Sequence, residues 1–213
     1  MKETTNNTTN NTTIITGVIS KTPEFSHEIL GERFYGIEIE VLRKSEQADY
    51  IPVLVTDRMV DIKSLKLGEY FKIEGSYRSH NEQLDNGKSK LILQVFPTMI
   101  EKCEAMPDDK NKMVLSGYIC KPPVCRTTPL GREITDLLLA VNRPYGKSDY
   151  IPCICWGRNA SYVGTLEVGT HINCEGRIQS REYTKRISET ESIKQTAYEV
   201  SVSMVEMSEE GVA

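Results

Sequence analysis

The chain repeats itself at an offset of one hundred residues. Ile15-Thr16-Gly17-Val18-Ile19-Ser20-Lys21-Thr22-Pro23 lines up with Leu115-Ser116-Gly117-Tyr118-Ile119-Cys120-Lys121-Pro122-Pro123. Leu30-Gly31 recurs as Leu130-Gly131, and Asp49-Tyr50-Ile51-Pro52 as Asp149-Tyr150-Ile151-Pro152. After one inserted residue, Leu67-Gly68 matches Val168-Gly169, and Ile73-Glu74-Gly75 matches Cys174-Glu175-Gly176. A period of this length is too long for a solenoid unit and suits a small domain. The chain of 213 residues therefore divides into a polar, low-complexity tail at 1–13, a first copy at 14–103, a linker at 104–112, a second copy at 113–207 and a short tail at 208–213. The Asn- and Thr-rich residues 1–13 are expected to be disordered, because they hold little that a core could bury.

Each copy reads as short strands. Residues 14–21 and 114–121 open the copies. In 34–43, Tyr35, Ile37, Ile39 and Val41 alternate with polar residues, the period of a half-buried strand. Residues 50–56 and 150–156 form a third strand, and 70–77 and 171–183 a fourth. Gly75 and Gly176 lie inside those fourth strands and predict a bulge or barrel bend. Residues 91–102 and 196–206 close the copies. Segments 58–65 and 158–163 are each long enough for a short helix between strands three and four. Five strands with that helix predict an all-β protein of two tandem OB-fold barrels, five-stranded Greek keys.

Composition narrows the function. No apolar run is long enough to span a membrane, and the first residues lack the apolar core of a secretion signal. A cytoplasmic location is expected. The six cysteines form no Cys-x-x-Cys pair and only three histidines accompany them, so no metal site and no cofactor are expected. His27, His80 and His171 stand apart from any nucleophile, and no phosphate-loop, Gly-x-Ser-x-Gly or zinc-protease motif occurs, so the chain is not expected to be an enzyme. Net charge is −4, which argues against a ligand held by charge alone.

The second copy carries spread aromatics, Tyr145, Tyr150, Trp156 and Tyr183, interleaved with Arg143, Lys147, Arg158, Arg177, Arg181, Lys185 and Arg186. Single-stranded nucleic acid is held by this combination: bases stack on rings while cations follow the phosphates. The competing reading places the rings in the core. It weighs most on Trp156, which follows an apolar strand, and least on Tyr145 and Tyr183, whose neighbours are polar.

Residues 114–207 resemble the OB domain of bacterial single-stranded DNA-binding proteins. The likeness rests on Trp156-Gly157-Arg158-Asn159-Ala160 at the end of strand three, and on Gly169 through Cys174-Glu175-Gly176-Arg177 to Arg181-Glu182-Tyr183. It implies that Tyr145, Tyr150, Trp156 and Tyr183 stand at ring positions that stack on DNA, three of them tyrosine where the family commonly has tryptophan. The first copy departs from the pattern. It keeps Tyr50, but Ser45, Thr56 and Glu82 replace the other rings, and Asp57 replaces Gly157. Twelve cations oppose fourteen acids in residues 14–103, against eleven and ten in 113–207. Weaker candidates in the first copy are Tyr50, Arg33, Arg43, Tyr77 and Arg78. The family's acidic tail tip ending Pro-Phe is not found in Glu206 to Ala213, a second departure from the pattern that leaves recruitment of its usual partners open.

The reading is a non-catalytic protein that binds single-stranded DNA largely without sequence preference, in replication, recombination or repair. Single-stranded RNA stays open as a ligand, because stacking reads the 2′-hydroxyl poorly. By analogy with the family, a homodimer presenting four barrels is expected. Two alternatives stand beside this: an OB adaptor of the primosome or replication-restart type, and a structural or inhibitory OB module with no DNA role.

Overall fold

A computed structural model describes residues 10–84, 87–104, 111–186 and 192–208, the side chains of Tyr145 and Lys185 excepted. In the first copy, β1 (Asn11–Ile29), β2 (Glu32–Leu42), β3 (Ala48–Thr56), β4 (Tyr70–Gln83) and β5 (Ser89–Lys102) pair in the order β2-β3-β5-β4-β1. β1 also pairs with β2, which closes a five-stranded barrel. The second copy contributes β6 (Asn111–Ile119), β7 (Val124–Thr127), β8 (Glu133–Asn142), β9 (Ser148–Trp156), helix α1 (Arg158–Val163), β10 (His171–Arg186) and β11 (Ser192–Met207). There β8-β9-β11-β10-β6 closes through Tyr118 opposite Ala140 and Ile119 opposite Leu139. Among the described residues, the parallel pairings join β3 to β5 in the first barrel and β9 to β11 in the second. This is the OB topology the strand count predicted. No helix among the described residues is long and apolar enough to cross a membrane.

Period-2 patterning fills the barrels. Ile37, Ile39 and Val41 point inward from β2, and Ile51, Val53 and Val55 from β3. Ile151, Cys153 and Cys155 do the same from β9, so the paired thiols are filler on one face of a strand. The internal glycines mark the barrel corners. The register slips by one residue between Glu74 and Gly75, and again between Glu175 and Gly176. A Cβ on Gly75 would collide with the Phe96 carbonyl oxygen, and one on Gly176 with that of Ser201. Only glycine lets the strands cross this closely.

Three boundaries differ from the sequence expectation. Asn11, Thr12 and Thr13, assigned to the tail, open β1; they are recruited because β4 and β6 flank them on both sides. Residues 1–9 lie outside the described residues. Asn111 and Lys112 belong to β6 rather than to the linker, whose residues 105–110 lie outside the described residues, as do 209–213 of the closing tail. The short helix forms as expected at Arg158–Val163, burying Ala160 and Val163. In the first copy, 58–65 yields only a 3-10 turn at Ile62–Ser64. The Asp61 carboxylate accepts the Lys63 N–H and tightens the chain there, while β-branched Val60 and Ile62 disfavour a longer helix. The left-handed Gly157 (φ 55°) that launches α1 is replaced by Asp57.

The two barrels share a seam. β1 pairs antiparallel with β6, Asn11 with Leu115, Thr12 with Val114, Thr13 with Met113, Ile14 with Lys112 and Ile15 with Asn111. The sheet therefore runs without a break through β5-β4-β1-β6-β10-β11.

Candidate nucleic-acid interface

Alternation along β9 sorts its residues into two sets. Its odd-numbered positions from Ile151 are buried, while Tyr150 and Trp156 face outward. Tyr50, Tyr150, Trp156 and Tyr183 are between 36% and 46% exposed. That is too open for core packing, so Trp156 is a surface ring. Beyond Trp156, the left-handed Gly157 turns the chain sharply into α1 and leaves Arg158 exposed beside the ring.

β10 supplies the other half of the surface. Tyr183 lies opposite Gln195 of β11 and donates its phenol to Gln195 Oε1 at 2.8 Å, which fixes the ring's far end. The Arg181 guanidinium sits 5.9 Å from the centre of the Tyr183 ring, a cation–π contact that leaves it exposed. Lys147 is exposed behind the 3-10 turn Pro144–Gly146. Tyr145 lies in that turn and Lys185 near the end of β10; their side chains lie outside the described residues.

Other predicted cations are held by the protein itself. Arg143 grips Asp149 with two nitrogens, Nε at 2.6 Å and Nη2, and also donates to the Ser79 carbonyl at 2.9 Å. Arg43 grips Asp49 in the same way, at 2.8 and 2.5 Å. Arg177 donates to Asp49 Oδ2 at 2.8 Å and to Gln179 at 3.0 Å. Arg78 comes within 3.8 Å of Asp149. Burial pulls the Arg78 and Arg177 pKa values down, yet a guanidinium stays charged at any ordinary pH. Arg33 is exposed and bonds Glu28 at 3.3 Å.

Tyr77 corrects the sequence reading. Proposed as a weak surface contact, it is fully buried, and no polar partner among the described residues reaches its hydroxyl. Desolvation, with Tyr198 and Cys153 of the second copy close by, raises its pKa well above the usual phenol value. It shares the inward parity of Phe71 and Ile73, a signal already present in the sequence. What sequence reasoning missed is the contact between copies. A cleft of about 840 Å³ is lined by Lys21, Arg43 and Tyr50 from the first copy and by Ser180, Arg181 and Tyr198 from the second. Tyr50, which lacks ring neighbours in its own copy, faces β10 of the other.

Residues 110–208 match the model of the Single-strand binding protein family. The chain is similar to Single-stranded DNA-binding protein 3 of Listeria innocua, 34% identical over 97 residues, which cover 40% of this chain and 61% of that protein. It is also similar to Single-stranded DNA-binding protein A of Bacillus subtilis, 36% identical over 80 residues, covering 34% of this chain and 46% of that one. The chain thus spans about half the length of the curated relatives it matches. The crystal structure of the wild-type single-stranded DNA binding protein from Thermus aquaticus is similar along 95% of both chains, with a TM-score of 0.70 at 20% identity, a likeness of fold.

Proposed function

We propose that this chain binds single-stranded DNA, in replication, recombination or repair, without a catalytic step, a reading supported by the match of its second copy to the model of the Single-strand binding protein family. The observation that carries the reading is the set of half-exposed rings Tyr150, Trp156 and Tyr183, with Arg158 and Arg181 free beside them, on the copy that matches the family. Stacking accepts any base, so little sequence preference is expected. The near-neutral balance of the second copy leaves most of the affinity to stacking, with Arg158, Arg181 and Lys147 following the phosphates. The surface is a barrel wall, and the described residues present no helix there to enter a major groove, so single strands are expected to bind ahead of duplex DNA.

Trp156 is the only tryptophan and reports directly on this surface. Its fluorescence should fall on titration with oligo(dT), and oligo(dT) should be displaced only weakly by duplex of equal length. A duplex that competes as well as the single strand would end this reading. Single-stranded RNA in the same competition measures how far the site accepts a 2′-hydroxyl.

Two chains are proposed to pair as a homodimer of four barrels. The outer face of the six-stranded run supports this, because it leaves Tyr118 exposed on central β6 and Met204 exposed on β11. Light scattering that returns the mass of one chain at micromolar concentration would rule it out.

A further inference from the structure

Ser79 belongs to β4 of the first copy, yet every polar atom it has is engaged by the second. Its N–H donates to Asp149 Oδ1 at 2.6 Å, its carbonyl accepts from Arg143 Nη2 at 2.9 Å, and its Oγ accepts the Tyr150 N–H at 2.7 Å. Asp149 is 1% exposed and is gripped from its own side by Arg143. The same device recurs with the copies exchanged. Ser180 of β10 donates its N–H to Asp49 at 2.8 Å, accepts from Arg43 Nη2 at 3.3 Å on its carbonyl, and accepts the Tyr50 N–H on Oγ at 2.9 Å. Asp49 is also 1% exposed.

β9 needs such an anchor. β11 pairs with it only at Cys153, Ile154 and Cys155, so the segment carrying Tyr150 is held on one side by β8 alone. A free strand edge moves, and a stacking ring on it would be ordered at the moment of binding, at an entropic cost. Ser79 takes up the Tyr150 N–H, while buried Asp149 and the partly exposed Arg143 that grips it clamp Ser79 itself. Charge-assisted bonds in a closed setting are the stronger kind, and removing one partner strands the other.

We propose that Ser79 and Asp149 are positioning residues for single-strand binding: the first copy, poor in rings of its own, pre-orders the Tyr150 platform of the second. This rests on the DNA reading above. It also gives the duplication a role that separate barrels would lack, since the face of the second copy is incomplete without β4 of the first.

The test is a double-mutant cycle in the full chain, read by Trp156 quenching with oligo(dT). Ser79→Ala removes one hydroxyl and should weaken binding about 3- to 10-fold, the effect of one lost hydrogen bond. The depth of quenching at saturation should stay as in the wild type, because Trp156 lies at the other end of β9. In a Tyr150→Ala background, Ser79→Ala should change affinity by less than about twofold, since the ring it orders is gone. Ser79→Thr keeps the hydroxyl and should restore wild-type binding. Ser180→Ala, which addresses Tyr50, should add its effect independently of Tyr150→Ala. Equal losses from Ser79→Ala with and without Tyr150, or no loss at all, overturn the proposal. A wild-type chain that leaves Trp156 unquenched and binds no oligo(dT) removes the DNA reading itself, and this inference with it.

Discussion

Thr13 faces Met113 across the β1–β6 seam, and both are fully buried. The two positions are one hundred residues apart, the offset of the repeat, so the local twofold of the molecule passes between them. Asn11 opposite Leu115 and Ile15 opposite Asn111 are the same pair seen from the two copies. Asn11 and Asn111 each hold a β-strand from the side. Asn11 bonds the Tyr77 N–H and carbonyl at 2.8 and 2.6 Å, and Asn111 those of Ile178 at 2.8 and 2.7 Å.

A seam built on this twofold should be reproduced when one copy is alone. A separately expressed segment 111–208 leaves the β6 edge uncovered, together with Met113 and Leu115. An exposed strand edge of this kind recruits another. The expected product is a dimer paired β6 to β6, with Met113 facing Met113. Light scattering on the segment checks this, and a folded monomer would show that the seam is not an autonomous pairing surface.

The corner glycines set the second prediction. A Cβ at Gly176 points into the Ser201 carbonyl, a backbone atom that cannot swing aside. Gly176→Ala should cost about 1–3 kcal/mol through overpacking of the β10–β11 crossing. Urea denaturation measures it. Alanine at Gly36, where a Cβ meets nothing within 4 Å, is the control and should stay within about 0.5 kcal/mol.

The thiols predict a dependence on alkaline pH. Burial, with Cys174 nearby, pushes the Cys155 thiol up to about 12 from an ordinary 9.0. A hydrogen bond with Cys174, and burial after it, raise Cys153 well above that ordinary value. The unfolded chain releases these protons near pH 9, and the folded one holds them to higher pH. Between those limits the unfolded state binds fewer protons, so stability present below pH 9 is lost as pH rises, by about 1.4 kcal/mol per pH unit for each such thiol. Urea midpoints between pH 7.5 and 10.5 should fall above 9, and a flat series contradicts the burial. Under native conditions iodoacetamide should reach exposed Cys125 well before Cys153, Cys155 or Cys174.

The β1–β2 hairpin holds a local strain. Ile29 pairs with Glu32, and the two residues between them, Leu30 and Gly31, have φ of 51° and 77°. A turn with two positive φ values favours Asn-Gly, and leucine is poorly suited to the first place. Leu30 is 95% exposed, so its side chain contributes almost no packing in return. Leu30→Asn should therefore stabilise the chain by about 1 kcal/mol, seen as a rise in Tm. A fall would mean that the leucine makes a contact in the assembled protein.

Much of this was legible from the repeat. Aligning the copies located two barrels, the strands and the corner glycines, because each copy obeys the same internal rules. Parity along β9 also put Cys153 and Cys155 on one face, whereas Trp156, at the end of an apolar strand, was open to a core reading that its exposure settles. The same parity buries Tyr77 with Phe71 and Ile73, although its neighbour Arg78 is charged. Ser79 and Ser180 were out of reach for a different reason. They act on the other copy, joining position 79 to 150 and 180 to 50. An alignment of copies records sameness within each barrel and is silent about bonds that cross between them.

That crossing changes what is expected of Tyr50. Judged on the first copy alone, Tyr50 stands without a ring beside it, and Tyr50→Ala should cost much less than Trp156→Ala or Tyr183→Ala, each worth about 1–3 kcal/mol if stacking dominates. In the folded chain Tyr50 opens onto the cleft that Arg181 and Tyr198 line from the second copy. Lys21 there is tied to Glu38 at 2.7 Å and Arg43 to Asp49, so Arg181 is the cation placed to follow a phosphate past Tyr50. A strand bound as proposed along Tyr183 and Arg181 would continue into this cleft, which Arg181 lines. Length then separates the two outcomes. Short oligo(dT) that fills only the second copy's face should bind Tyr50→Ala as it binds the wild type, while longer oligo(dT) should lose roughly 5- to 100-fold. Trp156→Ala and Tyr183→Ala should weaken both lengths. Arg158→Ala and Arg181→Ala should also flatten the salt dependence, since each removed phosphate contact releases fewer counterions. Thermal melting of every variant separates lost stacking from lost fold. If Tyr50→Ala binds long and short strands as tightly as the wild type, the first copy is scaffold alone, and its part in binding is confined to the hold of Ser79 on Tyr150.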